Sequence, residues 1–215
     1  MRYSSRILSI RHLTDSVAVY RFERNGFDFT PGQYLVLYIP GVAQCREYSI
    51  YSPANKPYIE ILVKASKNGS FAKYLMNLEP SSEISFEGPF GFFILQNDRL
   101  LLNKYLFVAT GTGISPFNSI VNTYNLLNYT ILHGVRFINE AYDKGNYNSS
   151  KYILCTSCHN KGDYFGRVTS WLRNHKIDEN TMCYLCGSSA MIDEVAGILE
   201  TYGIQPENIK SEIFF

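Results

Sequence analysis

Between Cys45 and Pro53 the chain reads Cys-Arg-Glu-Tyr-Ser-Ile-Tyr-Ser-Pro, which gathers a guanidinium, a phenol ring and a hydroxyl at Arg46, Tyr48 and Ser49. In a strand, side chains two apart share a face. Arg46 and Tyr48 then point one way, and Ser49 offers its hydroxyl and backbone from the other. A guanidinium fork matches phosphate oxygens, and a phenol ring covers a planar heterocycle. The set suits a ligand with a flat ring system and a diphosphate. The plainer reading is a surface arginine beside a core tyrosine.

A second stretch with chemistry in it is Phe107-Val108-Ala109-Thr110-Gly111-Thr112-Gly113-Ile114-Ser115-Pro116-Phe117. An apolar strand runs into glycines and then into Ser115-Pro116, the preferred N-cap and first helical residue. Strand, glycine turn and helix start are how open parallel sheets seat a diphosphate. Pro116 stands where the dinucleotide fingerprint has its third glycine, so a tight structural turn is the competing reading. In the first half, Ser70 follows Gly69 as the N-cap of one short helix, Ser70 to Asn77, whose unpaired N–H groups make another diphosphate seat or a simple cap. Cys155-x-x-Cys158 and Cys183-x-x-Cys186 have a spacing often used for zinc. Each pair includes a residue inside an apolar run that reads as a buried strand, so zinc is set aside. The spacing is not that of an iron–sulfur protein either.

The elements that must carry these groups change character partway along the chain. Arg6 to Arg11, Ser16 to Phe22, Gln33 to Ile39, Arg46 to Tyr51, Tyr58 to Lys64 and Glu83 to Glu87 are rich in Val, Ile, Tyr and Phe and mostly flanked by turn residues. Six short strands at this spacing predict a small antiparallel barrel. From Asn103 the pattern alternates strand and helix: Tyr105 to Ala109, Pro116 to Leu127, Tyr129 to His133, Phe137 to Tyr142, Tyr152 to Thr156, Val168 to Asn174, Met182 to Cys186 and Ser189 to Tyr202. Alternation predicts parallel strands with crossover helices, an α/β domain. The boundary falls near Leu95 to Leu102, giving domains of 1–97 and 98–215. The polar run Asp143 to Ser150 reads as a surface loop.

Composition narrows the classes. A chain of 215 residues with 46% hydrophobic content and net charge +1 has enough apolar material for one large or two small domains. The neutral balance lacks the basic excess of a nucleic-acid binder. No apolar run reaches the length of a membrane span. Residues 1–10 lack the apolar stretch of a signal peptide and read as a first strand. Five cysteines, an odd number, fit a reduced cytosolic chain.

Taken in order, Arg46-x-Tyr48-Ser49, Asn68-Gly69-Ser70, Gly88-Pro89-Phe90-Gly91, Gly111-Thr112-Gly113-x-x-Pro116, Cys186-Gly187-x-x-x-Met191 and Glu212 followed by Phe214-Phe215 resemble the ferredoxin-NADP reductase family of flavoproteins. The resemblance covers nearly the whole chain. It implies a flavin, FAD with FMN left open, held between the domains by Arg46, Tyr48, Ser49, Val63, Lys64, Ala65, Gly69, Ser70, Thr112, Phe214 and Phe215. Ser49 would hydrogen-bond the flavin N5, and Phe214 would be a movable lid on the flavin face. It implies a nicotinamide nucleotide, NADP with NAD possible, held by Gly111, Thr112, Gly113, Pro116, Arg136, Ser157, Arg167, Cys186 and Gly187. His133-Gly134-Val135-Arg136 looks like the family's H-x-x-R phrase; Arg136 goes to the nucleotide, and His133 is read as packing or a helix cap. Cys158 replaces an arginine of NADP-selective relatives, whereas Arg167 is retained and Lys161 is near enough to help. Ser49, Cys186 and Glu212 would do the chemistry, Cys186 lining the nicotinamide pocket and Glu212 acting as proton relay or orienting charge. The implied activity is hydride transfer between NAD(P)H and FAD, with single electrons passed to ferredoxin or flavodoxin by a monomer. A flavin or oxygenase reductase of the same superfamily, or a non-catalytic electron-transfer subunit, are the alternatives.

Overall fold

The computed structural model describes residues 1–65, 70–96 and 100–214, without the Ser70 side chain. Two compact units form: Met1–Ile94 together with Asn118–Thr123, and Leu95–Phe117 together with Tyr124–Phe215.

In the first unit, strands β1 (Arg2–Thr14), β2 (Val17–Glu23), β3 (Tyr34–Tyr38), β4 (Cys45–Ser49), β5 (Tyr58–Lys64) and β6 (Glu83–Phe90) form one antiparallel sheet in the order β4-β3-β6-β1-β2-β5. Strand β1 serves two neighbours. Its first residues, Arg2 to Arg6, pair with β6, and the remainder, from Ile7, pairs with β2 across a register shift between Ile7 and Ser9. An irregularity of this kind bends a strand and lets a sheet curl. A bridge between Ile50, just after β4, and Ile61, in the middle of β5, then joins the two edge strands, so the sheet closes on itself as the barrel expected from the sequence. Alternate side chains fill the interior: Leu35 and Leu37 from β3 and Ile59, Ile61 and Val63 from β5 all lie in one core cluster. The short helix α1 (Ser70–Met76) adds Phe71 and Leu75, one turn apart, to that cluster, and the Tyr20 hydroxyl donates to the Leu75 carbonyl at 3.0 Å.

The second unit is a parallel sheet in the order β10-β9-β8-β7-β11-β12, built from β7 (Lys104–Thr110), β8 (Asn128–Val135), β9 (Tyr152–Thr156), β10 (Tyr164–Phe165), β11 (Met182–Gly187) and β12 (Ile209–Ile213). Helices α3 (Val168–Asn174) and α4 (Ser189–Thr201) bury Val168, Leu172, Met191, Ile192, Val195 and Leu199 against Leu106, Val108, Leu132, Cys183 and Leu185 on one face. The alternate positions on the other face carry rings, with Phe107 stacked on Phe117 at 4.9 Å and in contact with Tyr105, Tyr129 and Tyr184.

Two segments depart from expectation. The stretch Phe137 to Tyr142 is no crossover helix but a single 3-10 turn at Ile138–Glu140. The Glu140 carboxylate accepts the N–H groups of Arg136 at 2.9 Å and Phe137 at 3.1 Å, and this ties the turn to the end of β8. Helix α2 (Ser115–Thr123) ends before Leu127. Its polar side chains Asn118, Ser119 and Thr123 are spent on the loop after β4: Asn118 donates to the Tyr51 carbonyl at 2.8 Å, Ser119 to the Ser52 carbonyl at 2.7 Å, and Thr123 accepts the Ala54 N–H at 2.9 Å. Asn118 and Ser119 are buried, a location that polar side chains reach only with partners.

Candidate functional site

The first-unit candidates meet along one seam. β4 and β5 are the two edges of the sheet, bridged at Ile50 and Ile61. Extending that antiparallel register sets Tyr48 across from Val63 and Arg46 across from Ala65, and among the described residues no ladder joins the two strands there. Edge strands left apart present backbone donors and acceptors to whatever lies between them. Arg46 is exposed, its Nη1 donating to the Cys45 carbonyl at 2.9 Å. Tyr48 is half-buried, its ring 6.5 Å from that of Phe71 in α1, so the start of α1 stands near Tyr48. Burial raises the Tyr48 phenol well above its ordinary value, with Arg46 pulling weakly the other way, so the ring is present as neutral phenol. Ser49 is buried opposite Tyr34. Val63 has its side chain in the barrel core, Lys64 is exposed, and the Ala65 N–H donates to the Ser16 carbonyl at 2.8 Å. Gly69 and Phe215 lie outside the described residues. An aromatic ring, a guanidinium and an open strand edge within one barrel fit a flat heterocycle carrying a diphosphate, such as FAD.

The second-unit candidates meet at the carboxyl ends of β7, β8 and β11. Gly111 to Ile114 form a 3-10 turn that runs directly into α2. Ser115, expected to cap the helix by accepting an N–H, instead donates its hydroxyl to the Thr112 carbonyl at 2.9 Å. The turn continues into the helix without a break, so no separate cap is needed there. Gly111 has φ of +54° and open space where a Cβ would stand. Gly113 is the reverse: a Cβ there would collide with the Cys186 carbonyl, so this glycine is demanded by the approach of β11. A Cβ on Gly187 would run into the Thr110 hydroxyl in the same way. Pro116 is buried in the first turn of α2.

Strand β12 pairs with β11 so that Glu212 stands opposite Cys186 and Ile213 opposite Gly187. The structure thus brings two of the three residues expected to do chemistry side by side. The Phe214 N–H donates to the Gly187 carbonyl at 2.8 Å and fixes the half-buried Phe214 just beyond. Cys186 is fully buried, and desolvation, helped by the Glu212 carboxylate, pushes its thiol well above the ordinary range. It is a neutral thiol, not a nucleophile.

At the ends of β8, β9 and β10 stand Arg136, Ser157 and Arg167, all exposed. The Arg136 guanidinium pairs with Glu140 at 3.2 Å, and the Ser157 N–H donates to the Val135 carbonyl at 3.0 Å. Arg167 occupies the position before α3. Cys158 and His159 are exposed beside them, with the His159 ring 5.1 Å from Phe137.

His133, read from the sequence as packing or a cap, is fully buried and bonded at both nitrogens: Nδ1 to the Tyr152 hydroxyl at 2.7 Å and Nε2 to the Gly111 carbonyl at 2.9 Å. A histidine inside an apolar strand that runs beside a glycine turn is the only trace of this in the sequence. Glu140, which holds both Arg136 and its own turn, was missed for want of any local pattern.

Comparison with known proteins agrees with the two-unit reading. Residues 5–94 match the model of the oxidoreductase FAD-binding domain. The ferredoxin–NADP reductase of Pseudomonas aeruginosa is 29% identical over 238 residues, spanning 94% of this chain and 91% of that protein. The toluate 1,2-dioxygenase electron transfer component of Pseudomonas putida is 27% identical over 230 residues, spanning 99% of this chain and 67% of its own length. Among solved structures, a ferredoxin NADP+ reductase from Neisseria gonorrhoeae with bound FAD and NADP superposes with a TM-score of 0.87 at 19% identity, covering 100% of this chain and 99% of that one. An antiparallel barrel followed by a six-stranded parallel sheet is the fold these reductases share. Along nearly its whole length the chain is thus similar to ferredoxin–NADP reductases, with an oxidoreductase FAD-binding domain over residues 5–94.

Proposed function

We propose that this protein oxidises NAD(P)H through a bound FAD and passes the electrons singly to a ferredoxin or flavodoxin, with residues 1–97 carrying the flavin and 98–215 the nucleotide. The observation that carries the reading is the register of β12 on β11, which sets Glu212 beside Cys186 next to the Gly111–Ile114 turn. FAD, when bound, supplies the two-electron and one-electron chemistry that no amino-acid side chain here provides. Arg46 and the start of α1 would take its diphosphate, Tyr48 would cover its ring, and Val63, Lys64 and Ala65 would line the opposite edge. The hydroxyl of Ser49 would hold a hydrogen bond to the flavin N5. Gly111 and Thr112 would seat the nucleotide diphosphate, while Gly113 and Pro116 give the turn its shape. Arg136, Ser157 and Arg167 would hold the adenosine end. Cys186 and Gly187 would bound the nicotinamide side, with the neutral thiol offering a compact apolar wall. Glu212 would orient the nicotinamide or relay a proton, and Phe214, followed by Phe215, would cover the flavin until the nucleotide arrives.

Arg167 with Lys161 nearby supports NADPH, and Cys158 in place of an arginine tempers that preference toward NADH. The five free thiols suit a reducing cytoplasm, and no helix among the described residues is long and apolar enough to cross a membrane. Purified protein is expected to be yellow, monomeric in sedimentation, and bleached by NADPH without oxygen; a colourless protein that takes up no flavin overturns the reading. The similarity to an oxygenase electron transfer component supports a second one, delivery of electrons to an oxygenase. Steady-state rates with ferredoxin, flavodoxin, an oxygenase component and free flavin separate the two, since the true acceptor gives the highest rate.

A further inference from the structure

His133 reaches the glycine turn from beneath. It lies on β8 opposite Ala109 of β7, and its ring extends to the Gly111 carbonyl just past the end of that strand. A carbonyl oxygen can only accept, so Nε2 must carry the proton. In the neutral ring Nδ1 is then an acceptor, and the Tyr152 hydroxyl 2.7 Å away is its donor. Tyr152 is itself held, stacked parallel on Tyr147 at 4.9 Å and set edge-on to His133 at 6.0 Å. The tautomer and the angle of the imidazole are therefore both fixed by neighbours.

The carbonyl it holds belongs to a planar unit. A trans peptide points its N–H opposite to its C=O. With the Gly111 carbonyl bonded to His133, the Thr112 N–H points away from the imidazole. Thr112 is the second residue of the 3-10 turn, where an N–H has no acceptor within the turn itself. Glycine at position 111 has φ of +54° and nothing near its Cβ position, so side-chain sterics do not set the orientation of this peptide. The i→i+3 pattern of the turn and the bond from His133 set it together.

We infer that His133 is a positioning residue: its bond to the Gly111 carbonyl, locked by Tyr152, aims the Thr112 N–H outward as a preset donor for an anionic ligand oxygen. This rests on the proposed nucleotide role of the Gly111–Ile114 turn, with the dinucleotide diphosphate as the anion. Preset donors bind more tightly because no ordering cost falls on the binding step. His133→Phe keeps a ring in the cavity and loses the bond, whereas His133→Gln keeps a donor within reach of the same carbonyl.

Calorimetry of the oxidised holoprotein with NADP+ and NAD+ supplies the first readout. His133→Phe is expected to weaken binding of both nucleotides about tenfold, the size of one hydrogen bond's net contribution. His133→Gln recovers most of that loss, and Tyr152→Phe shows a smaller one. In kinetics the loss falls on KM and not on kcat. Nitrogen chemical shifts of the His133 ring in unaltered protein supply a second readout that needs no variant: the Nε2–H tautomer is expected. A folded His133→Phe protein that binds as tightly as wild type, a His133→Gln protein no better than His133→Phe, or an Nδ1–H tautomer would each overturn the positioning role. Wild-type holoprotein that binds neither nucleotide is seen before any variant is made, and it overturns the proposed function instead.

Discussion

At the scale of single residues, burial decides which groups are chemically available. His133 has its imidazole pushed down to about 4 by desolvation, against the opposing pull of the Gly111 carbonyl and the Glu140 charge. In the unfolded chain the same group titrates near 6.5. The neutral ring's contribution to stability is therefore complete above about pH 6.5 and is lost as pH falls toward about 4, by on the order of a few kcal/mol. Urea unfolding at pH 7.5 and pH 4.5 checks this, and His133→Phe is expected to flatten that part of the profile. The cysteines divide in the same way. Burial pushes the Cys155 and Cys183 thiols up to about 12 and Cys186 well above its ordinary range, whereas Cys158 is exposed. A thiol reagent at pH 8 should modify Cys158 in native protein and reach Cys155, Cys183 and Cys186 only after unfolding, with peptide mass spectrometry locating the adducts. Glu212→Gln removes the charge that faces Cys186. If Glu212 serves hydride transfer, stopped-flow reduction by NADPH slows at least about tenfold while flavin content stays at wild-type level. The sequence made Cys186 and Glu212 visible as types of residue. Their adjacency was not visible, because it is a matter of strand register between segments with a whole helix between them.

At the scale of elements, α2 shows what a local pattern leaves out. It carries the polar side chains Ser115, Asn118, Ser119, Asn122 and Thr123, and of these Ser115, Asn118 and Ser119 are buried. Asn118 and Ser119 bond distant carbonyls in the loop after β4, which no window of sequence around α2 contains, whereas Ser115 bonds the nearby Thr112 carbonyl. Asn118→Ala and Ser119→Ala each remove the donor to a buried carbonyl and should cost about 1–3 kcal/mol in denaturant unfolding. By contrast, the barrel strands were legible as runs rich in Val, Ile, Tyr and Phe between turn residues, and Leu35 and Leu37, or Ile59, Ile61 and Val63, place alternate side chains in the barrel core. The glycine turn after β7 was legible as a turn, though not why it needs two glycines of different kinds. Gly113→Ala tests the distinction. The added methyl meets the Cys186 carbonyl, so the loop must shift at a cost of about 1–3 kcal/mol, and nucleotide binding should weaken with it. The short strands β10 and β12 escaped notice, since β10 is two residues long and the β12 segment Ile-Lys-Ser-Glu-Ile alternates too briefly to stand out.

At the scale of the whole chain, the two compact units are not two consecutive segments. Asn118–Thr123 belongs with Met1–Ile94 although it follows β7 in sequence. A fragment of residues 1–97 would lack the three side chains that bond the Tyr51–Ala54 stretch. It should unfold at lower denaturant than the intact protein and take up FAD poorly, as fluorescence titration would show. Binding to the folded state stabilises by mass action, so stripping FAD from the intact protein should lower its melting temperature, and adding it back should restore the original value. Strand β12 carries a practical consequence. Because it is an outer strand whose last residues run alongside Cys186 and Gly187, a purification tag or fluorescent fusion joined shortly after it would crowd those residues with foreign peptide. Binding partners are better sought with bait fused at Met1, and a loss of turnover in a tail-tagged preparation should be checked against a tagless one before any mutation is blamed for it.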